Sequence, residues 1–287
     1  MFNTIRENIE NRLGMKPREE KARSAEIIEN IGQWSGRYSH WRKNERLTGY
    51  NFVENIHAPF TPARRALPML NLALVSSAGA YIDGTTAFDT TLADGDAGFR
   101  EIPIEVGAED MRYAARGYDS SAVEQDRNAQ IPVERLVEYE ANGVIGQLNP
   151  VWWSFSGFIP NARLVAETLA PQITERLARY EVQAALLIPA SPLCHQSVGI
   201  VARALEKAGI PTIMIAVDRK IVDRVRPPRC GFYNGEFGSV AGKPNWKEYQ
   251  RRVLEEALRL IEPLDQPSVR KLAVDLETAV EESRGER

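Results

Sequence analysis

Nine consecutive residues, Pro189-Ala190-Ser191-Pro192-Leu193-Cys194-His195-Gln196-Ser197, bring a hydroxyl, a thiol and an imidazole together on a short stretch of chain. The apolar run Ala184-Ala185-Leu186-Leu187-Ile188 precedes them and a helical pattern follows, so they span a strand end and a helix start. A thiol near a helix N-terminus meets free N–H groups and the positive end of the dipole, which lowers its pKa and favours the thiolate. Cys194 is therefore the candidate nucleophile or redox centre, with His195 the candidate proton donor. Adjacent residues on a helix point about 100° apart, so His195 need not touch the sulfur. The structural alternative is a small buried cysteine beside a satisfied histidine.

A second turn, Ser76-Ser77-Ala78-Gly79, follows the apolar run Leu72-Ala73-Leu74-Val75. Its small residues let backbone amides approach a ligand, so Ser76, Ser77 and Gly79 are candidate substrate contacts. Asp83, Asp89, Asp94 and Asp96 follow, with Arg100 behind them, and Tyr118 and Asp119 lie in a later polar stretch. Asp96, Arg100, Tyr118 and Asp119 are expected to line or shape a cleft, the alternative being loop-holding surface. Cys230 sits among Arg219, Lys220, Arg224, Arg226 and Arg229, a segment suited to a carboxylate or phosphate or simply solvated. The glycines at 231, 235, 238 and 242 suggest a flexible loop and do not fit a dinucleotide fingerprint. Histidines 40, 57 and 195 are scattered and there is no Cys-x-x-Cys, so no metal site is expected.

The elements that position these residues follow an α/β pattern. Leu72–Val75, Val144–Leu148, Ala184–Ile188 and Pro211–Val217 read as strands, and Val198, Val201, Ala202 and Leu205 fall at helical spacing before Gly209. Helices are also expected over Ala22–Ile31, from Pro132 to Asn142-Gly143, from the cap Asn161 with a break near Ala170 before Pro171, and over Trp246–Ile261. Strand, helix and strand within about forty residues make a βαβ unit, which implies a mostly parallel, Rossmann-like sheet flanked by helices. Residues 1–66 read as an extension wrapping the core through Trp34, Tyr38, Trp41, Tyr50, Phe52 and Phe60. The core is expected over 67–263, divisible into lobes 67–160 and 161–263, with a helical tail over 264–287.

The 287 residues carry 36 Lys+Arg against 39 Asp+Glu, a near-neutral balance that gives no electrostatic case for nucleic acid. No apolar run approaches the ~20 residues of a membrane span. Two cysteines without a pairing pattern, and an N-terminus without an apolar signal region, suggest a reducing, cytoplasmic setting.

Leu74-Val75-Ser76-Ser77-Ala78-Gly79, Gly95-Asp96, Phe99-Arg100-Glu101-Ile102-Pro103, Tyr118-Asp119 and Pro132-Val133-Glu134-Arg135-Leu136 occur in order. Gly143-Val144-Ile145-Gly146, the Pro192–Gly199 turn and Val225-Arg226-Pro227-Pro228-Arg229 complete the series. Together they resemble the selenoprotein B family of glycine, sarcosine, betaine and D-proline reductases, from about residue 59 to 245. The resemblance implies reductive C–N cleavage, in which a selenolate attacks the carbon alpha to a carboxylate and a nearby thiol resolves the adduct. It places the selenocysteine at Ser191, three residues before Cys194. Serine is neither a soft nucleophile nor a redox centre, so the activity moves to Cys194 or is lost. Around Tyr118-Asp119 the family tends to carry histidines where this chain has Arg116 and Ser120. No cofactor is expected on this chain, because the pyruvoyl group of D-proline reductase belongs to a separate subunit.

Three readings follow. The first is a selenium-free, thiol-dependent oxidoreductase acting on a small amino-acid-like or carboxylate substrate, with a partner subunit or thiol electron donor and a homo-oligomeric state. The second is a non-catalytic subunit that binds a ligand or partner enzyme. The third is a racemase or lyase in which Cys230 faces Cys194 across a cleft.

Overall fold

The computed structural model describes residues 25–42, 49–262 and 264–274. At its centre β1 (Asn71–Ser76), β3 (Phe99–Pro103), β6 (Val151–Phe155), β7 (Ala184–Ile188), β8 (Thr212–Ala216), β9 (Arg229–Phe232) and β10 (Ser268–Lys271) form one sheet. Their spatial order is β10-β9-β8-β7-β1-β6-β3. All these strands run parallel except β3, which pairs antiparallel with β6. A short β5 (Gln147–Leu148) also pairs with β1, and β2 (Ala80–Ile82) pairs antiparallel with β4 (Met111–Tyr113) in a separate sheet.

Burial on both faces explains why β7 and β8 are unbroken apolar runs rather than alternating ones. In β1 the faces separate. Leu72 and Leu74 enter a core beneath α3 (Val133–Ala141) and the late helix α8 (Lys247–Leu258), with the short α2 (Ser121–Gln125) contributing Val123. Ala73 and Val75 enter the opposite core, under α4 (Ala162–Leu164), α5 (Ala170–Arg179), α6 (Pro192–Lys207) and α7 (Arg219–Val225). The molecule is thus an α/β sandwich with a mostly parallel sheet. No helix among the described residues is long and apolar enough to cross a membrane.

Several expectations change in detail. The helix expected over Ala22–Ile31 is replaced by α1 (Ile31–Arg42), which carries Gly32 and Gly36 inside it; residues 22–24 lie outside the described ones. Trp34 and Tyr38 give α1 a buried face, and their rings stack at 5.0 Å, a packing gain that offsets two helix glycines. Strands β3 and β6 form where no strand was expected. The break before Pro171 is a π-turn over Val165–Leu169 that keeps the helix running into α5. Ser268–Lys271 extends the sheet as β10 where a helical tail was expected, and residues 275–287 lie outside the described ones. Gly231 belongs to β9 rather than to a loop.

From β1 the chain moves to β6 on one side, then crosses to β7 on the other and continues outward to β10. The order therefore reverses between β1 and β7, and a parallel sheet opens a crevice at the carboxyl ends of such a pair. Ser76-Ser77 and Ser191-Cys194 leave the sheet at those two ends.

Candidate functional site at the end of strands β1 and β7

Ser191 caps α6 from an extended backbone (φ −137°, ψ 172°), with Pro192 in the first turn. Its hydroxyl accepts the Cys194 N–H at 3.1 Å and donates to Cys194 Sγ at 2.9 Å. The sulfur in turn points to the Ser77 carbonyl at 3.8 Å. Ser77 ties the crevice together: its N–H donates to the Ile188 carbonyl, its hydroxyl accepts the Ala190 N–H at 3.1 Å, and its carbonyl accepts the Gly157 N–H. Gly157 closes the site from the end of β6. A β-carbon there would lie 2.5 Å from Ser77 Cβ and 2.8 Å from Cys194 Sγ, so only glycine fits at this approach. Ser197, one turn along α6, donates to the Gly157 carbonyl at 2.8 Å.

Ser77, Ser191, Cys194 and His195 are all buried. Burial pushes the Cys194 thiol up, against hydrogen bonds from Ser191 and Ser77 that favour the thiolate. The lowered thiol expected from position alone is therefore corrected: the helix N-terminus is present, but burial outweighs it. Burial likewise pushes His195 down to about 4. Its Nδ1 donates to the Ser191 carbonyl at 2.7 Å and its Nε2 accepts the Val217 N–H at 3.1 Å, which fixes one neutral tautomer. His195 thus ties the start of α6 to the end of β8, with both ring nitrogens engaged by backbone groups.

The remaining sequence candidates divide. Tyr118 donates to the Ala78 carbonyl at 2.6 Å and roofs the turn after β1. Gly79 takes a left-handed φ of +66° and donates its N–H to the Phe155 carbonyl, so this amide is not free for a ligand. Ser76 Oγ is buried beside Ser154 on β6, and both hydroxyls lack a hydrogen-bond partner among the described residues. Asp96 accepts the N–H groups of Gly98 and Asp89, while Arg100 stacks on Phe88 at 4.3 Å and donates to the Thr86 and Ala87 carbonyls. These two brace the loop ahead of β3. Asp119 is exposed and accepts the Ser121 N–H. Cys230 lies on β9 in the opposite core, with its thiol pushed up by burial, so the structure does not pair it with Cys194. Among the described residues, no group of three or more His, Cys, Asp or Glu could hold a metal ion.

Gly157 is the site residue that the sequence reading did not name; its signal is the largely apolar Trp152–Phe155 stretch followed by Ser-Gly, a strand and turn like that of β1.

Residues 51–190 match the family described as glycine/sarcosine/betaine reductase selenoprotein B, a span running from the strap before β1 to the loop after β7. The chain is 32% identical over 213 residues to the D-proline reductase subunit gamma of Acetoanaerobium sticklandii, covering 74% of this chain and 86% of that one. It is 28% identical over 173 residues to the glycine reductase complex component B subunit gamma of Symbiobacterium thermophilum, covering 58% of this chain and 39% of that one. With the sarcosine reductase complex component B subunit beta of Peptoclostridium acidaminophilum it shares 25% identity over 55% of this chain and 36% of the other. It spans most of the D-proline reductase subunit but less than half of these glycine and sarcosine reductase components. No solved structure matches. The chain belongs to the glycine/sarcosine/betaine reductase selenoprotein B family.

Proposed function

We propose that this protein is a component of a reductase complex and that Cys194 is its reactive thiol, acting on a small amino-acid-like or carboxylate substrate. The observation that carries this reading is the Ser191–Cys194 contact at the strand-order reversal. One hydroxyl there supports both the sulfur and the amide of the same residue. In this reading the Cys194 thiolate attacks the carbon alpha to a carboxylate; the C–S bond forms as the C–N bond breaks, and the amine leaves with a proton. A thiol of a partner component then attacks the sulfur, the carbon leaves with a proton as C–H, and a mixed disulfide remains. A second partner thiol regenerates Cys194 and departs as disulfide. Two thiols are oxidised for each C–N bond reduced. The sealed site supports chemistry only after a substrate or partner opens it, since a thiolate forms readily only where water or donors reach it.

The test is turnover of glycine, sarcosine, betaine and D-proline with dithiothreitol as donor, for the wild-type chain and Cys194→Ala. C–N cleavage that Cys194→Ala abolishes at an unchanged Tm is expected, read as ammonia or free amine from glycine, sarcosine and betaine and as 5-aminopentanoate from D-proline; turnover retained by the variant overturns the reading. The burial of the thiol and the commitment of His195 favour a second reading, a non-catalytic subunit that binds a partner enzyme. Stable co-purification with a partner, indifferent to Cys194→Ala and without turnover, would establish it.

A further inference from the structure

Phe158, whose ring lies against Gly117 beside Ser191, also lines a cavity of about 530 Å³ bounded by the last turn of α1 (Trp41, Arg42), the turn at Thr91 and Ala93, and Arg116. Two cations border it. Arg42 is already paired with Asp94 at 3.0 Å, and Asp94 also accepts the Tyr38 hydroxyl. Arg116 is half-buried and pairs with no carboxylate among the described residues; Asp89 acts on it only from beyond ion-pair distance. Its guanidinium lies over the Phe158 ring at 4.5 Å, and its Nη1 donates to the Leu92 carbonyl at 2.8 Å. That arrangement holds the group in place and leaves the Nε–Nη2 edge for the paired hydrogen bonds a carboxylate accepts. Both neighbours of this contact reach the crevice. A β-carbon at Gly117 would lie 3.5 Å from Ser191 Cβ, and one at Gly157 would lie 2.8 Å from Cys194 Sγ.

We propose that this cavity is the entrance to the Ser191–Cys194 site, with Arg116 as its carboxylate-binding residue and Phe158 as the door between the two. The proposal rests on the thiol reading and names the feature its substrates share, a free acid group one or two bonds from the reacting carbon. It also gives Arg116 a task at the position where the family resemblance expects histidine.

Iodoacetate and iodoacetamide differ in that acid group alone, so their relative rates at Cys194, resolved from Cys230 by peptide mass spectrometry, report the anchor. The iodoacetate-to-iodoacetamide ratio at Cys194 should exceed that of free glutathione about tenfold, the worth of one good charge-assisted contact. Arg116→Gln should return it to the glutathione value, and Arg116→Lys should fall between. A ratio that Arg116→Gln leaves unchanged overturns the proposal. If neither reagent reaches Cys194, the site is sealed in the chain alone, the thiol reading stands or falls on the turnover test above, and equilibrium binding of N-acetylglycine decides the anchor. Binding weakened about tenfold by Arg116→Gln supports it, whereas equal binding or none overturns it.

Discussion

The Ser191 hydroxyl lies between the amide and the sulfur of Cys194, accepting from the first at 3.1 Å and donating to the second at 2.9 Å. One side chain thus caps the 16-residue helix α6 and supplies a hydrogen bond that strengthens when the thiol ionises. Removing it has two separable effects. Ser191→Ala is expected to lower unfolding free energy by about 1 kcal/mol through the lost cap. It is also expected to move the onset of Cys194 alkylation to higher pH, because the thiolate loses a donor. Ser191→Thr, which keeps the hydroxyl, should recover both. Denaturant titration reads the first effect and a pH series of iodoacetamide rates the second; an unmoved pH onset would remove Ser191 from the chemistry and leave it a cap alone.

The same contact makes Ser191→Cys informative. Two sulfurs three residues apart at a helix start are within the reach a disulfide requires, and the hydroxyl that the new thiol replaces already touches Sγ. Oxidised glutathione is expected to close a bridge between the introduced thiol and Cys194, leaving only Cys230 titratable in denaturant. A variant that keeps every thiol free after oxidation would mean that burial bars the exchange.

His195 makes a prediction about pH. Its folded pKa is depressed to about 4 from the ordinary 6.5, so between these values the unfolded chain binds the proton and the folded one does not. Stability contributed by the neutral ring is complete above pH 6.5 and is lost as pH falls toward 4, to a total of roughly 3 kcal/mol. His195→Asn keeps a buried polar group but cannot titrate. The difference in unfolding free energy between wild type and variant should therefore shrink as pH is lowered from about 7 to about 5. A constant difference would show that burial does not hold His195 neutral in the folded chain.

The fold was legible where burial is symmetric and local. Ala184–Ile188 matches β7 residue for residue, and Asn161 caps its helix through its side chain as expected. Pairing partners were less visible. Phe99–Pro103 carries Arg100 and Glu101 because β3 is an edge strand, and an edge tolerates charge that a central strand does not. The site was legible as two turns but not as one crevice, since the closing residue Gly157 comes from a third strand. The thiol's direction was misread for a related reason. Sequence shows the helix start, which lowers a pKa, and hides the close approach of Gly157 to the sulfur and the burial that raises it. The burial of the polar residues inside α6 was not legible. Gln196, Arg203 and Glu206 are polar, yet all three are buried beneath a strap made of residues 25–30 and 49–61.

Arg203 is the clearest test of that strap. It is fully buried, and its guanidinium donates to the carbonyls of Glu26, Ile27, His57 and Arg226, at 2.5 to 2.8 Å. Among the described residues no carboxylate pairs with it, so its charge is satisfied by backbone dipoles drawn from three separate stretches of chain. Gln196 adds to the fastening by accepting the Val53 N–H and donating to the Tyr50 hydroxyl, and Asn55 donates to the Val225 carbonyl. Arg203→Met preserves much of the length and burial of the side chain but leaves those four carbonyls without a donor. The expected cost is more than about 3 kcal/mol, since each buried acceptor left open costs about 1–3 kcal/mol. Arg203→Lys keeps the charge without the planar fork and should fall between. Because most of these carbonyls belong to the strap, hydrogen exchange should accelerate first over residues 25–30 and 49–61 and only later over β7 and β8. Uniform acceleration across the chain would show that the strap and the sheet unfold as one unit. Protection equal to wild type over residues 25–30 and 49–61 would show that Arg203 does not hold the strap at all.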